Sequence, residues 1–162
     1  MIRIYSDTSV ISCIDAPDTP ERENNTRRFF QFVRDNADEY ELVISSVTVA
    51  ELQKTPQPRY KLLMDFLQAS KYTLLTDSDE ADDLAEHYVQ DGVLSDKHKD
   101  DLAHIAYSVL AKCDFIVSWN MKHFVNPKTI MRVNAVNEKY GYPKVMITTP
   151  VLFLGDDSDA ET

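Results

Sequence analysis

A short apolar run that ends in an acid decides the fold, Ile2-Arg3-Ile4-Tyr5-Ser6-Asp7-Thr8-Ser9. Its β-branched and aromatic residues predict a strand over Ile2–Ser6, with Asp7 at the turn that follows. Four further runs of the same kind lie along the chain, at residues 42–44, 72–75, 115–117 and 145–147. The sequence therefore predicts five short strands.

Segments with helical spacing separate these strands. The clearest is the stripe of Leu102, Ile105, Ala106, Val109 and Leu110, which predicts a helix over residues 99–112. One other helix is predicted to begin near Pro20, another to run through Glu51 to a stop near Pro56, and two more to cover residues 60–67 and 127–140. The acidic stretch 77–91 is predicted to form a helix with Leu84, Ala85, Tyr88 and Val89 on one face and a stop at Gly92. Strands that alternate with helices predict an α/β fold, a three-layer α/β/α sandwich around a central, mainly parallel sheet. We expect one domain over residues 1–154 and an acidic, flexible tail over 155–162.

The net charge of −10 is concentrated in two segments. Residues 77–91 hold seven acids and residues 156–162 hold four, and neither segment contains Lys or Arg. The rest of the chain has 16 acids against 17 bases, so an RNA substrate is not excluded. The balance does argue against tight, non-specific binding to polyphosphate, which requires many exposed cations.

Four polar residues follow the predicted strands or lie on the helix beside them: Asp7, Glu51, Asp101 and Asn120. Each has an ordinary structural interpretation. Asp7 could cap a helix, Glu51 could lie on a solvated helix face, Asp101 could complement a helix dipole, and Asn120 could belong to a turn. In parallel sheets, however, functional side chains gather at the carboxyl ends of the strands.

Carboxylates that meet in one cleft repel one another unless a cation is present. Mg²⁺ and Mn²⁺ prefer hard oxygen ligands, and a bound ion of this type can activate water and stabilise the charge on a phosphodiester. The three acids therefore predict a divalent metal site at Asp7, Glu51 and Asp101, with Asn120 as a further catalytic residue.

Four motifs in this order resemble the PIN domain, in particular the VapC-like toxin ribonucleases. They are Ile4-Tyr5-Ser6-Asp7-Thr8-Ser9, Val47-Thr48-Val49-Ala50-Glu51-Leu52, Asp101-Leu102-Ala103-His104-Ile105-Ala106 and Val117-Ser118-Trp119-Asn120-Met121-Lys122-His123-Phe124. The resemblance covers about residues 1–150, and the last two motifs are the most specific.

The resemblance implies a metal-dependent endoribonuclease, with Mg²⁺ or Mn²⁺ held by Asp7, Glu51 and Asp101. It also implies an RNA substrate, a homodimer and a cognate antitoxin. Asn120 stands where many members carry a fourth Asp, and its amide oxygen supplies no charge. Ser9 could hold a metal-bound water, and we expect His104 to be structural rather than to transfer protons. The phosphate guides suggested by proximity to the acids are Lys97, Lys99, Lys122 and Arg27 or Arg28.

Two other functions stay open. One is a PIN-fold binding module with little or no nuclease activity, which the neutral Asn120 and the acidic surface favour. The other is a phosphatase of the haloacid dehalogenase type, which also has an acid after its first strand but requires a second Asp where this chain has Ser9. No apolar run is long enough for a membrane span. Two distant cysteines, Cys13 and Cys113, indicate a cytoplasmic protein.

Overall fold

Five parallel strands form the centre of the protein in a computed structural model that describes residues 1–155. They are β1 (Ile2–Ser6), β2 (Tyr40–Ser45), β3 (Thr73–Leu75), β4 (Phe115–Val117) and β5 (Met146–Thr148). Their order across the sheet is β3-β2-β1-β4-β5. Ile4 of the central strand pairs with Leu42 of β2 on one side and with Phe115 of β4 on the other. The carboxyl ends of β2, β1 and β4 therefore lie side by side.

Seven α-helices connect and cover these strands within residues 1–155. They are α1 (Thr8–Ser12), α2 (Pro20–Asp35), α3 (Ser46–Leu52), α4 (Arg59–Ala69), α5 (Asp79–Gln90), α6 (Lys99–Leu110) and α7 (Pro127–Lys139). Side-chain caps begin four of them, because Asp7, Ser45, Ser78 and Asn126 each accept a hydrogen bond from the first turn of the helix that follows.

The period-two alternation of the strands builds a separate core on each face of the sheet. Ile4 points into a core that also contains Phe29 and Phe30 of α2 and Leu63 of α4. Tyr5 points to the opposite face, into a core formed largely by α5, α6 and α7. Helices therefore cover both faces, and the predicted three-layer α/β sandwich with a parallel sheet, as in a PIN-like fold, is confirmed.

The predicted elements are all present, with small shifts at their ends. Helix α6 stops at Leu110 rather than at Lys112, because Lys112 takes a left-handed conformation with φ of 56°. Gly92 ends α5 with φ of 78°, as expected of a C-terminal glycine. Strand β5 lies one residue later than predicted, and β3 lacks residue 72. Of the predicted tail over 155–162, only Gly155 lies within the described residues.

Both cysteines are free thiols, Cys113 buried and Cys13 half-buried. Among residues 1–155, none of the helices has the length and apolar character that crossing a bilayer requires.

Candidate active site

Asp7 is buried directly after β1, with 4% of its surface exposed. Its Oδ1 accepts hydrogen bonds from the backbone N–H of Val10, at 3.2 Å, and from the hydroxyl of Ser9, at 2.7 Å. Its Oδ2 accepts a hydrogen bond of 2.6 Å from the hydroxyl of Ser118. Asp7 is thus the cap of α1, as the ordinary interpretation predicts, and is also fixed in place at the carboxyl edge of the sheet.

Two serines from different parts of the chain hold Asp7. Ser118 follows β4 and is fully buried, whereas Ser9 lies in the first turn of α1. The hydroxyl oxygen of Ser9 also accepts the backbone N–H of Trp119 at 2.9 Å, which ties α1 to the loop after β4. The sequence showed Ser118 only as part of a motif, since its contact with Asp7 depends on the β1–β4 pairing. That Ser9 holds a metal-bound water stays a prediction.

Glu51 lies near the end of α3 and turns its carboxylate toward α1 and α6. Its Oε1 accepts a hydrogen bond of 2.9 Å from the hydroxyl of Thr8. The same oxygen lies 2.5 Å from Nε2 of His104, which is 2% exposed. Glu51 is therefore attached to the residue next to Asp7 and to the helix that carries Asp101.

Asp101 is half-buried in the first turn of α6, one turn before His104. Its Oδ2 lies 3.7 Å from Nδ1 of His98. The preceding Asp100 is exposed, in agreement with the expectation that adjacent helix positions point about 100° apart. Of the two neighbouring acids, it is Asp101 that belongs to the cleft.

The ionisation of the three acids reflects their shared environment. Burial raises the pKa of Asp7 above its ordinary value, against the opposing effects of His104 and of the hydrogen bonds from Ser118 and Ser9. Burial also raises the pKa of Asp101, and the negative charges of Asp7 and Glu51 raise it further. The charges of the three acids therefore act on one another.

Glu51 behaves differently from the other two acids. Burial acts to raise its pKa, but the interactions with His104 and the hydrogen bond from Thr8 outweigh burial, and the pKa is lowered. Glu51 is therefore the acid most strongly held as a carboxylate.

The donor set fits a hard divalent cation by its chemistry. Asp7 and Glu51 lie near enough to Asp101 for their negative charges to raise its pKa, and a positive ion relieves that repulsion. A carboxylate has about four acceptor positions, and Asp7 uses three of them while Glu51 uses two, so lone pairs remain on both. Within residues 1–155, however, no three His, Cys, Asp or Glu side chains are grouped closely enough to hold a metal ion as they stand.

Asn120 lies in the turn after β4 and uses its amide oxygen within that turn. Oδ1 accepts the backbone N–H of His123 at 3.0 Å, and the backbone N–H of Asn120 donates to the hydroxyl of Ser118. The ordinary interpretation of Asn120 as a turn residue thus describes its contacts, and a catalytic role stays a prediction.

A group of basic side chains borders the cleft beside Asp101. The rings of His98 and His123 pack with centroids 4.2 Å apart. Desolvation, and then the positive charges of His98 and Lys122, lower the pKa of His123, whereas Asp101 raises it. Lys97 also acts on His123, and both lysines are exposed. Two of the suggested phosphate guides, Lys97 and Lys122, therefore lie near His123, on which the charge of Asp101 also acts.

The other suggested guides have different surroundings. Lys99 is exposed at the start of α6. Arg27 donates to the carbonyl of Ile14 at 2.9 Å, and its guanidinium packs on Phe66. Arg28 lines a surface depression with Phe153 and Leu154. Arg27 is thus engaged with Ile14 and Phe66, and the roles of Lys99, Arg27 and Arg28 as phosphate guides stay predictions.

Trp119 is a packing residue. It is 7% exposed, belongs to the core on the Ile4 face, and donates its indole N–H to the hydroxyl of Thr26 at 2.9 Å. The guanidinium of Arg22 covers its ring at 5.3 Å.

Comparison with known proteins gives one line of support, from structure. No family model matches the chain, and no curated protein matches it in sequence. A chain in the crystal structure of VapBC2 from Rickettsia felis, bound to a DNA fragment from their promoter, superimposes with a TM-score of 0.56. The two chains are 12% identical, and the match covers 91% of this chain and 98% of the other. At this identity the likeness shows a shared fold.

Proposed function

We propose that the protein is a metal-dependent endoribonuclease of the PIN/VapC type that hydrolyses RNA phosphodiester bonds. The observation that carries the proposal is how the three acids are linked: Glu51 bonds Thr8, beside Asp7, and His104, on the helix that carries Asp101, and the charges of Asp7 and Glu51 act on Asp101. The likeness in fold to a chain of a VapBC2 complex supports it.

In this proposal the three carboxylates hold the metal and the surrounding hydroxyls orient them. Ser9 and Ser118 hold Asp7, and Thr8 holds Glu51. Mg²⁺ or Mn²⁺ at such a site supplies Lewis-acid activation of water and stabilises charge on the phosphodiester. Lys97 and Lys122, exposed beside Asp101, would attract the phosphates of the substrate strand.

A protein partner is also part of the proposal. The structural neighbour comes from a VapBC2 complex, and we propose that this chain likewise pairs with an antitoxin. Within residues 1–155, ten large apolar side chains are well exposed, among them Met131, Met146 and Leu152. Such exposure is compatible with self-association as a homodimer or with binding a partner.

The experiment that tests the activity uses purified protein on mixed RNA, with Mn²⁺ and with EDTA. Asp101→Asn is the test variant, and Asp100→Asn is its matched control, since Asp100 is the exposed acid one position earlier on α6. We expect cleavage that requires Mn²⁺, survives Asp100→Asn and is lost in Asp101→Asn. Cleavage that persists in EDTA or in Asp101→Asn would contradict the proposal.

The alternative, a binding module on the same fold, has one specific observation in its favour. The fourth position of the site is Asn120, whose amide oxygen is used inside its own turn. This alternative predicts RNA or partner binding without cleavage at any Mn²⁺ concentration.

A further inference from the structure

A line of buried polar side chains runs from β2 through β1 and α6 to Glu51. The phenol oxygen of Tyr5 lies 2.7 Å from the hydroxyl of Ser45 and 3.3 Å from that of Thr48. The same oxygen lies 2.7 Å from Nδ1 of His104, whose Nε2 lies 2.5 Å from Oε1 of Glu51. Tyr5, Ser45 and Thr48 are fully buried, and His104 is nearly so. Buried polar groups of this kind need partners for every hydrogen.

The hydrogens of Ser45 and Thr48 can be placed first. The hydroxyl oxygen of Ser45 already accepts the backbone N–H of Val47, and that of Thr48 accepts the backbone N–H of Ser45. Among the hydrogen bonds of residues 1–155, the acceptor available to both hydroxyl hydrogens is Oη of Tyr5. Oη of Tyr5 thus accepts hydrogen bonds from the hydroxyls of Ser45 and Thr48, and its own hydrogen is free to donate.

The hydrogen of Tyr5 then goes to His104. Burial raises the pKa of Tyr5, against the hydrogen bonds of Ser45 and Thr48, so the phenol keeps its hydrogen. Its remaining neighbour is Nδ1 of His104, which must accept. An imidazole whose Nδ1 accepts carries its hydrogen on Nε2, and that hydrogen points at Oε1 of Glu51.

Two other arrangements satisfy the network less well. If the hydrogen sat on Nδ1 alone, the bare Nε2 would face a carboxylate oxygen at 2.5 Å, an acceptor against an acceptor. If both ring nitrogens carried hydrogens, Tyr5 would have to donate to Ser45 or Thr48, and one hydroxyl hydrogen in the buried network would be left without an acceptor. A buried donor that is left without an acceptor destabilises the fold.

We propose that Tyr5 and His104 are positioning residues for Glu51, with Tyr5 holding the ring of His104 so that its Nε2–H donates to Glu51. The proposal deepens the proposed function, since it gives the pair a purpose if Glu51 is a metal ligand. A donor held in this way fixes the direction of the carboxylate and leaves lone pairs for a cation. Groups that orient metal ligands in this way typically change metal affinity about 10- to 100-fold when removed.

The first test measures the ring hydrogens directly, in metal-free protein labelled with ¹⁵N-histidine. The ¹⁵N chemical shifts of His104 at neutral pH should show a protonated Nε2 and an unprotonated Nδ1. Two protonated nitrogens, or a hydrogen on Nδ1 alone, would overturn the proposal. This result does not depend on nuclease activity, so a failure of the proposed function leaves it standing.

The second test compares variants by Mn²⁺ affinity, measured by calorimetry. Tyr5→Phe should weaken Mn²⁺ binding about 10-fold and remove the preference of His104 for one nitrogen. Tyr88→Phe is the matched control, because Tyr88 is equally buried in the same core as Tyr5 but donates to Asn137 of α7 rather than to His104. It should cost stability and leave both readouts unchanged.

Substitutions of His104 separate positioning from packing. His104→Gln keeps an oxygen to accept from Tyr5 and an amide N–H to donate to Glu51, and should retain Mn²⁺ affinity within about threefold of wild type. His104→Leu fills the space without either group and should lose about 10- to 100-fold. Equal losses in both variants, or none in either, would overturn the positioning role. If wild type binds no Mn²⁺ at all, the proposed metal site fails, and the ¹⁵N result alone decides the hydrogen placement.

Discussion

Ser118 and Asp7, which are 111 residues apart in the chain, are joined by a hydrogen bond of 2.6 Å from Oγ to Oδ2. The bond crosses from the end of β4 to the end of β1, and both residues are buried. Asp7 would otherwise be a buried carboxylate held by α1 alone. The pairing of these two strands is therefore what completes its surroundings.

Replacing Ser118 with Ala should weaken both the fold and the metal site. The buried carboxylate of Asp7 would lose one of its three donors, at a cost of about 1–3 kcal/mol at neutral pH. Mn²⁺ affinity should fall about 10-fold. Urea denaturation and calorimetry measure the two effects. Ser108→Ala is the control, because Ser108 is equally buried but donates to the carbonyl of Ile105, and it should leave Mn²⁺ affinity unchanged.

Asp101→Asn should stabilise the metal-free protein at neutral pH and abolish stabilisation by Mn²⁺. Burial and the neighbouring acids hold the pKa of Asp101 above its ordinary value of 3.8, so the ionised form is disfavoured by folding. Asparagine removes that charge. Thermal unfolding should give a higher Tm than wild type in EDTA and a lower Tm than wild type in millimolar Mn²⁺, because metal binding stabilises the native state by mass action. A variant less stable than wild type in EDTA would show that repulsion between Asp101 and the neighbouring acids does not destabilise the metal-free protein.

The shifted pKa values of the acids also determine how the stability of the metal-free protein depends on pH. A carboxyl group whose pKa is higher in the folded chain binds its proton more tightly there, so stability falls as the pH rises from 3.8 through the raised value. Asp7 and Asp101 both act in this direction. Glu51 acts in the other direction, since its lowered pKa gives stability that is lost as the pH falls below about 4.5. The advantage of Asp101→Asn over wild type in EDTA should therefore shrink on acidification and vanish below 3.8. A stability difference between Asp101→Asn and wild type that is constant at every pH would contradict a raised pKa of Asp101 in the folded chain.

Lys97 and Lys122 should contribute to RNA binding through charge alone. With Asp101→Asn as a cleavage-deficient background, Lys97→Ala combined with Lys122→Ala should weaken binding to single-stranded RNA and lower the slope of log K against log salt by about 1.4. Fluorescence anisotropy at several salt concentrations measures this. Lys61→Ala is the control, because Lys61 pairs with Asp65 on α4, and it should leave the slope unchanged. An unchanged slope in the double variant would place the RNA elsewhere.

The strand and helix pattern could be predicted from sequence because each element carries its own periodicity. The stripe of Leu102, Ile105 and Val109 specifies α6, and Asp7 at the end of β1 gives the cap of α1. The acids of the site followed from their positions after strands. These features are local, and they need no knowledge of which strands pair.

The supporting contacts of the site could not be predicted in the same way. The hydrogen bonds from Ser118 to Asp7 and from Tyr5 to His104 join residues about a hundred positions apart. They depend on the strand order β2-β1-β4 and on the face of β1 to which Tyr5 points. Asn120 is the opposite case, because its turn contacts are local. The sequence nevertheless allowed both a turn role and a catalytic role for it.

The most direct test of the metal site is anomalous diffraction from crystals grown with Mn²⁺. We expect one strong anomalous peak at the carboxyl edge of the sheet. The carboxylate oxygens of Asp7, Glu51 and Asp101 should lie within about 2.0–2.3 Å of the metal ion or be bridged to it by water. The peak should disappear in Asp101→Asn crystals. A peak at any other place, or none at saturating Mn²⁺, would show that these three acids do not bind one divalent ion.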